Sequence, residues 1–132
     1  MKKDYEVTFE SAIKDMSARE RIAVKALDRC EAIDTLVNLG EVLTITVENF
    51  VVLNVHNERA KEGNNKDYAV YVVIANDGTK YRTGSASFFN AFMDIYEELK
   101  DEEPNEPITI DIYKQESKNF KGKGFISCSL SD

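Results

Sequence analysis

The fold of this chain is decided by residues 68–99, YAVYVVIANDGTKYRTGSASFFNAFMDIYEEL. Residues 68–75 are rich in aromatic and β-branched side chains, which predicts a strand. The Asn-Asp-Gly sequence at 76–78 predicts a tight hairpin turn, because Asp-Gly supplies the positive φ angles that such a turn needs. Residues 80–83 alternate in character and predict the second strand of the hairpin. The stretch therefore begins with two antiparallel strands.

A helix follows the hairpin. Gly84 breaks the second strand, and the hydroxyl of Ser85 or Ser87 can cap a helix by accepting a bond from a free backbone N–H. The apolar side chains that follow recur at spacings of four, three and four, which places them on one helical face: Phe88, Phe92, Ile95 and Leu99. The sequence thus predicts a core-facing helix behind the hairpin.

Length and composition limit the class of protein. The chain has 132 residues, which is enough for one domain with one core. No apolar run approaches the roughly 20 residues of a membrane span, and MKKDYEVTFE at the start lacks the apolar core of a secretory signal. Cys30 and Cys128 form no CxxC motif, so we expect two reduced thiols in a cytoplasmic protein. The net charge of −7 argues against non-specific adhesion to nucleic acid.

The first part of the chain is less decisive. We expect residues 1–18 to be a flexible arm and residues 19–132 to form a single domain. The segment 19–27 could be a strand or the start of a helix, and 31–39 a short helix or an irregular crossing. The β-rich segment 41–56 predicts one long curved strand, or two short ones if the chain bends at Glu48-Asn49.

The remaining segments alternate between loops and strands. Residues 57–67 predict a polar loop, and residues 108–113 and 125–130 predict two more strands. Between the helix and the first of these strands, residues 94–106 carry seven carboxylates and one lysine. Between the two strands, residues 114–124 form a lysine-rich loop.

The order of these elements predicts a mainly β protein with one or two helices. Five strands with a helix between the third and the fourth is the order of the OB fold, a five-stranded β-barrel, and here it follows an N-terminal extension. Other α+β barrels have similar content and remain open on order alone. OB barrels bind oligonucleotides on their second and third strands and on two loops, which here are residues 57–67 and 114–124.

Those places carry the two residue types that hold single-stranded nucleic acid, cations for the phosphates and rings for the bases. The cations are Arg59, Lys61, Lys66, Lys80, Arg82, Lys114, Lys118, Lys121 and Lys123. The rings are Tyr68, Tyr71, Tyr81, Tyr113, Phe120 and Phe125. From these we select as candidate nucleic-acid-binding residues Arg59, Lys61, Tyr71, Lys80, Tyr81, Arg82, Lys114, Lys118, Phe120, Lys121 and Lys123.

Each of these features also has a purely structural interpretation. Tyr71 and Tyr81 could be core or cross-strand packing residues, Phe120 could close its loop onto the barrel, and the lysines could line a solvated loop. Tyr81 is a weaker stacking candidate than Phe120, because the neighbours of Tyr81, Lys80 and Arg82, point to the opposite face of their strand.

No motif points to catalysis. His56 is the single histidine and has no nucleophile signature or metal spacing around it. No Walker-type phosphate loop is present in the sequence. We therefore expect no enzymatic activity, no metal and no cofactor.

Four segments resemble a known family. They are RERIAVKALDRCEAID at 19–34, VLNVHNERA at 52–60, YVVIANDGTKYRTGSASFFNAFMDIYEEL at 71–99 and SKNFKGKGFISCSL at 117–130. The chain resembles the small single-stranded DNA-binding proteins of phages and mobile elements of Gram-positive bacteria. The resemblance implies an OB-type core that coats single strands during replication or transfer. It adds weight to the loops SKNFKGKGF and HNER, with Phe120 where that family often has tyrosine.

The sequence therefore predicts a protein that binds single-stranded DNA without base specificity and shields it. The alternative is a protein-interaction module that uses the acidic surface at 94–106 and binds no nucleic acid. Candidate partners are single-stranded DNA, replication proteins of the same element and further copies of the chain along the DNA, with no role at a membrane.

Overall fold

The computed structural model describes residues 4–59, 66–116 and 124–131. The strands are β1 (Tyr5–Ala12), β2 (Glu31–Ala32), β3 (Val42–Asn57), β4 (Asp67–Ala75), β5 (Lys80–Thr83), β6 (Ile108–Glu116) and β7 (Gly124–Leu130). The helices are α1 (Ala18–Val24), α2 (Ile33–Leu36) and α3 (Ala86–Leu99), with a 3₁₀ turn at Leu27–Arg29. The described residues are mainly β, with three α-helices where the sequence predicted one or two.

The long strand β3 organises one curled, mixed sheet. Its order is β2-β5-β4-β3-β6-β7, and β1 also pairs with β3. The β3 residues 51–57 pair with β1, residues 42–47 with β6, and residues 47–56 with β4, all antiparallel. Among the described strands, β2 and β5 are the one pair that runs parallel. A single strand thus holds three neighbours.

A β-bulge at Glu48 lets β3 serve these different neighbours. The register against β4 shifts between Val47 and Asn49, so that Phe50 continues the face begun by Val47. The Asn49 side chain is buried, and its Oδ1 accepts the N–H groups of Lys14, at 3.1 Å, and of Phe50, at 2.9 Å. Its Nδ2 donates to the carbonyl of Lys14 at 3.2 Å. The amide therefore satisfies the polar groups at the bulge and ties it to the chain after β1.

Helix α3 covers one face of the sheet. Its N-cap is Ser85, whose hydroxyl accepts the N–H of Phe88. Phe88 and Phe92 are fully buried, and the Phe92 ring lies parallel to the ring of Phe50 with centroids 4.3 Å apart. Side chains from β3, β4, β6 and β7 complete this core, which includes Val73, Ile110, Ile112 and Ile126.

The opposite face of the sheet has a second core. Val51, Leu53 and Val55 of β3 and Val72 of β4 pack there against Val24, the buried residue of α1. Helix α1 starts at a capping box in which Ser17 and Glu20 exchange backbone and side-chain bonds. The central strands are consequently buried on both sides, which explains the nearly continuous apolar run in β4.

Most of the predicted elements are present. The long strand with a bend at Glu48, the hairpin with its turn at Gly78 (φ +91°), the helix, and the last two strands follow the sequence prediction. The ambiguous segment at 19–27 is helical in α1. The predicted arm contains β1, a strand of eight residues paired along β3, so residues 5–12 are not an unstructured extension. The predicted division of the chain after residue 18 stays a prediction.

The described strands do not close into a barrel. Strand β5 pairs with β4 and β2, and β7 pairs with β6 alone among the described residues. The start of α3 spans this gap, because the hydroxyls of Ser85 and Ser87 both donate to the carbonyl of Ile126 in β7, at 3.2 and 2.8 Å. The sheet is thus a half-barrel whose two sides are joined by side chains.

We predict that Phe92→Ala lowers the free energy of unfolding by about 3–5 kcal/mol, because it removes a fully buried ring stacked on Phe50. Urea denaturation followed by circular dichroism measures this. Phe125→Ala, which truncates a ring that is 40% exposed, is the control and should cost far less. An unchanged midpoint for Phe92→Ala would show that α3 does not hold the core.

Candidate nucleic-acid interface

The β4–β5 hairpin separates the candidate residues that the sequence placed on one binding face. Residues directly opposite each other in an antiparallel ladder point to the same face of the sheet. Tyr81 is opposite the buried Val73, which places Tyr81 and Tyr71 on the α3 side. Lys80 and Arg82 alternate with them and lie on the α1 side. The separation of Tyr81 from Lys80 and Arg82 is the one expected from the alternation of side chains along a strand, and the four candidates do not share one face.

The two tyrosines on the α3 side pack against the core. The Tyr71 ring stacks on Phe89 of α3 with centroids 4.6 Å apart and lies 6.3 Å from Phe50. Tyr81 is half-buried against the same core, and this burial raises the pKa of its hydroxyl. Both rings thus have a packing role, which was the structural alternative that the sequence left open.

Arg82 lies in a groove on the α1 side. Its Nε donates to the carbonyl of Leu27 at 3.2 Å, and the groove is also lined by Tyr5, Tyr68 and Asp28. Tyr5 comes from the segment that was predicted to be a flexible arm, so its place near Arg82 was not predicted. The alternation of apolar residues over residues 5–12 is the local signal for the strand found there.

The two candidate loops begin near opposite ends of β3, one after β3 itself and the other at the end of β6 beside the start of β3. Arg59 lies two residues beyond the end of β3, where its guanidinium is 82% exposed and pairs with Asp4 at 3.1 Å. Lys114 lies by the other end, opposite Ile126 in β7, and its stem crosses Gly124, where a Cβ would come within 2.8 Å of Lys114 Cγ. A 16-residue strand extends about 50 Å if straight. A ligand touching both loops must therefore run along the sheet.

Five candidate residues lie outside the described residues. They are Lys61, Lys118, Phe120, Lys121 and Lys123. Their assignment stays a prediction.

His56 joins a network of charges where β3 and β4 meet the 57–67 loop. Its Nδ1 lies 2.6 Å from an Asp67 carboxylate oxygen and its Nε2 lies 2.8 Å from one of Glu58. Lys66 Nζ reaches the second oxygen of Glu58 at 3.2 Å. Both ring nitrogens can donate only in the imidazolium form, so the two carboxylates raise the pKa of His56, Asp67 more than Glu58. From the sequence, His56 was predicted to be a structural or surface residue, and its two carboxylate partners were not predicted.

Within the described ranges, no three His, Cys, Asp or Glu side chains are arranged so that they could hold a metal ion. No helix there is both long and apolar enough to cross a membrane.

Comparison with known families decides the class of this protein. The family model of phage single-stranded DNA-binding proteins of the phi29 type matches residues 8–131, nearly the whole chain. The chain belongs to this family. The phage single-stranded DNA-binding family consists of binding proteins rather than enzymes, so the expected absence of catalysis agrees with membership. Neither a curated protein nor a solved structure gives a significant match.

Membership also gives the site its ligand. The match spans β1 from residue 8 to the end of β7, so it includes the helix, the hairpin and both candidate loops. The ligand of this protein is therefore single-stranded DNA, bound during phage replication. The resemblance seen in the four sequence segments is confirmed.

We predict that His56 titrates above its ordinary pKa of about 6.5, because both carboxylates favour its charged form. As the single histidine, it gives one imidazole signal that NMR can follow against pH. Asp67→Asn should move the midpoint down, whereas Asp77→Asn, which changes a turn carboxylate not bonded to His56, should not.

The sign of the linked stability follows from the raised pKa. The stabilisation is complete below the unfolded value of about 6.5 and is lost as pH rises through the folded value. The melting temperature should fall over that interval, and His56→Gln should remove this part of the pH dependence. A midpoint at or below about 6.5 would contradict the paired geometry.

Proposed function

We propose that this protein coats unpaired DNA without base specificity and protects it during replication of a phage or a related mobile element. The observation that carries the proposal is the family match over residues 8–131. The mechanism is occlusion: cations neutralise phosphates, rings stack on bases, and the covered strand cannot pair again or reach a nuclease. The family match favours this function over a protein-interaction module that binds no nucleic acid.

The arrangement of charge supports binding despite the net charge of −7. The acidic run at 94–106 begins in the second half of α3 and continues past the C-terminal end of that helix. Of the described candidate cations, Arg59 and Lys114 lie next to the two loops, and Lys80 and Arg82 lie on the α1 side of the hairpin. We propose that the DNA follows these cations and stays away from the acidic end of α3.

We also propose that the fold is a variant of the OB fold. The order of the OB fold is matched by β3, β4, β5, α3, β6 and β7. Strand β3 takes the place of the first OB strand, and it pairs with β4 and β6, which take the places of the second and the fourth. A closed barrel also needs the third and fifth strands to meet. In this variant the start of α3, through Ser85 and Ser87, takes the place of that pairing.

Further parts of the proposal concern partners and place of action. We propose that copies of the chain bind side by side along DNA, that they work with replication proteins of the same element, and that this takes place in the host cytoplasm. We further propose that residues 19–132 act as one DNA-binding domain to which β1 contributes a strand.

We predict that affinity for oligo-dT falls steeply with salt, because each phosphate contact to a single strand contributes roughly −0.7 to the log–log slope. Changing Lys118, Lys121 and Lys123 together to Ala should make the slope about 2 less negative if all three contact phosphate. A fluorescence titration at several salt concentrations measures this.

The matched control for the lysine loop removes three positive charges elsewhere. Lys14 follows β1, Arg19 lies in the first turn of α1, and Lys100 ends α3. Changing these three to Ala should leave the slope near that of the parent. A parent slope near zero would contradict phosphate binding, and unfolding of the first variant would show that its loop is structural.

We predict that Phe120→Ala lowers affinity for oligo-dT by about 1–3 kcal/mol with nearly unchanged melting, since a ring that stacks on a base is not needed by the core. Phe120→Tyr should keep both affinity and stability. Equal affinity of Phe120→Ala and the parent would remove Phe120 from the site.

A further inference from the structure

A groove on the α1 side of the sheet presents rings and charge to solvent. It is lined by Tyr5, Leu27, Asp28, Tyr68, Val70 and Arg82. Tyr5 is 50% exposed and Tyr68 is 43% exposed, whereas Val70 at the bottom is buried. The two tyrosines thus differ from Tyr71 and Tyr81, whose rings pack into the core.

The two rings reach the groove from strands on either side of β3. Val7 of β1 and Tyr68 of β4 both lie opposite Val55, and Tyr5 shares the face of Val7 two residues away. Burial is the largest cause that raises the pKa of the Tyr5 hydroxyl, the Tyr68 hydroxyl raises this pKa further, and the Arg82 guanidinium lowers it. Rings, phenols and guanidinium therefore share one small surface.

Arg82 is held but not neutralised. Its Nε bond to the Leu27 carbonyl orients the guanidinium plane, and across the described parts of the chain no carboxylate forms an ion pair with it. A planar guanidinium that keeps unused N–H donors can stack on bases and donate hydrogen bonds to their acceptor atoms. Such a group beside exposed rings is suited to a flat, polar-edged ligand.

We propose that this groove is a subsite for an unpaired nucleobase, with Tyr5 and Tyr68 as stacking surfaces and Arg82 beside them. This rests on the proposed function. The Asp28 carboxylate in the groove disfavours a phosphate, but it accepts N–H groups from the edge of a base. The DNA backbone then passes outside the groove.

The groove lies near Arg59 and Lys66, two cations beside which the backbone of the bound DNA would pass. Tyr5 follows Asp4, whose carboxylate pairs with Arg59 and whose carbonyl accepts the N–H of Glu58 at 2.7 Å. Tyr68 follows Lys66 by two residues at the other side of the same loop. The groove therefore lies beside the described residues at both ends of the 57–67 segment, and β1 becomes part of the proposed DNA site.

The test compares Tyr5→Leu/Tyr68→Leu with the parent on oligo-dT and on an abasic strand of equal length. Loss of one stacked base should lower affinity for oligo-dT by about fivefold or more and leave affinity for the abasic strand unchanged. Tyr5→Phe/Tyr68→Phe keeps both rings and should bind like the parent. Tyr96→Leu makes the same chemical change on α3, outside the groove, and should also bind oligo-dT like the parent.

A second measurement covers the case in which the leucine variant does not fold. Oligo-dT carrying 5-iodouracil is cross-linked to the parent by light, and the linked peptide is identified by mass spectrometry. Links to Tyr5 or Tyr68 support the proposal, and links confined to residues 114–131 overturn it. If the parent binds oligo-dT and the folded leucine variant binds equally well, the subsite is wrong and the proposed function stands. If the parent fails to bind, both are wrong.

Discussion

The bulge at Glu48, held by the buried Asn49 amide, is the constraint on which the sheet depends. Without the extra residue, Phe50 would point to the α1 side and the stack with Phe92 could not form. The bulge also marks the place where β3 exchanges β6 for β1 along its length. Because Asn49 bonds the backbone of Lys14 as well as its own strand, the position of β1 is fixed at the same point.

The sequence predicted the elements whose signals lie within one short segment, and it missed pairings between residues that are far apart in the chain. The hairpin and α3 have local signals, namely Asp-Gly, Ser85 and an apolar stripe, and all three are present as expected. Strand β1 was missed because its pairing with β3 joins residues that are 39 to 52 positions apart, and its own sequence mixes charged with apolar residues. The opening between β5 and β7 was missed for a similar reason, since strand order does not specify which edges meet.

The site was predicted less well than the fold. Sequence could identify cations and rings, but it could not decide which face each takes, and the strand β5 divides Tyr81 from Arg82. Tyr71 is an aromatic residue of the kind that stacks on bases, but its ring is already stacked on the ring of Phe89. Tyr5 lacks any neighbouring motif, and only the three-strand arrangement around Val55 brings it beside Tyr68. Exposure of a ring is a property of tertiary structure, so composition alone does not reveal it.

The way Ser85 and Ser87 join α3 to β7 has a consequence for motion. Strands that close a barrel by backbone pairing separate only when a ladder of hydrogen bonds breaks together. Here two hydroxyls share one carbonyl, that of Ile126, and hydroxyl rotors exchange partners by rotation about single bonds. Separation of β7 from β5 therefore breaks individual side-chain hydrogen bonds and the packing of Ile126 and Cys128 in the α3 core, with no backbone ladder between these two strands to break.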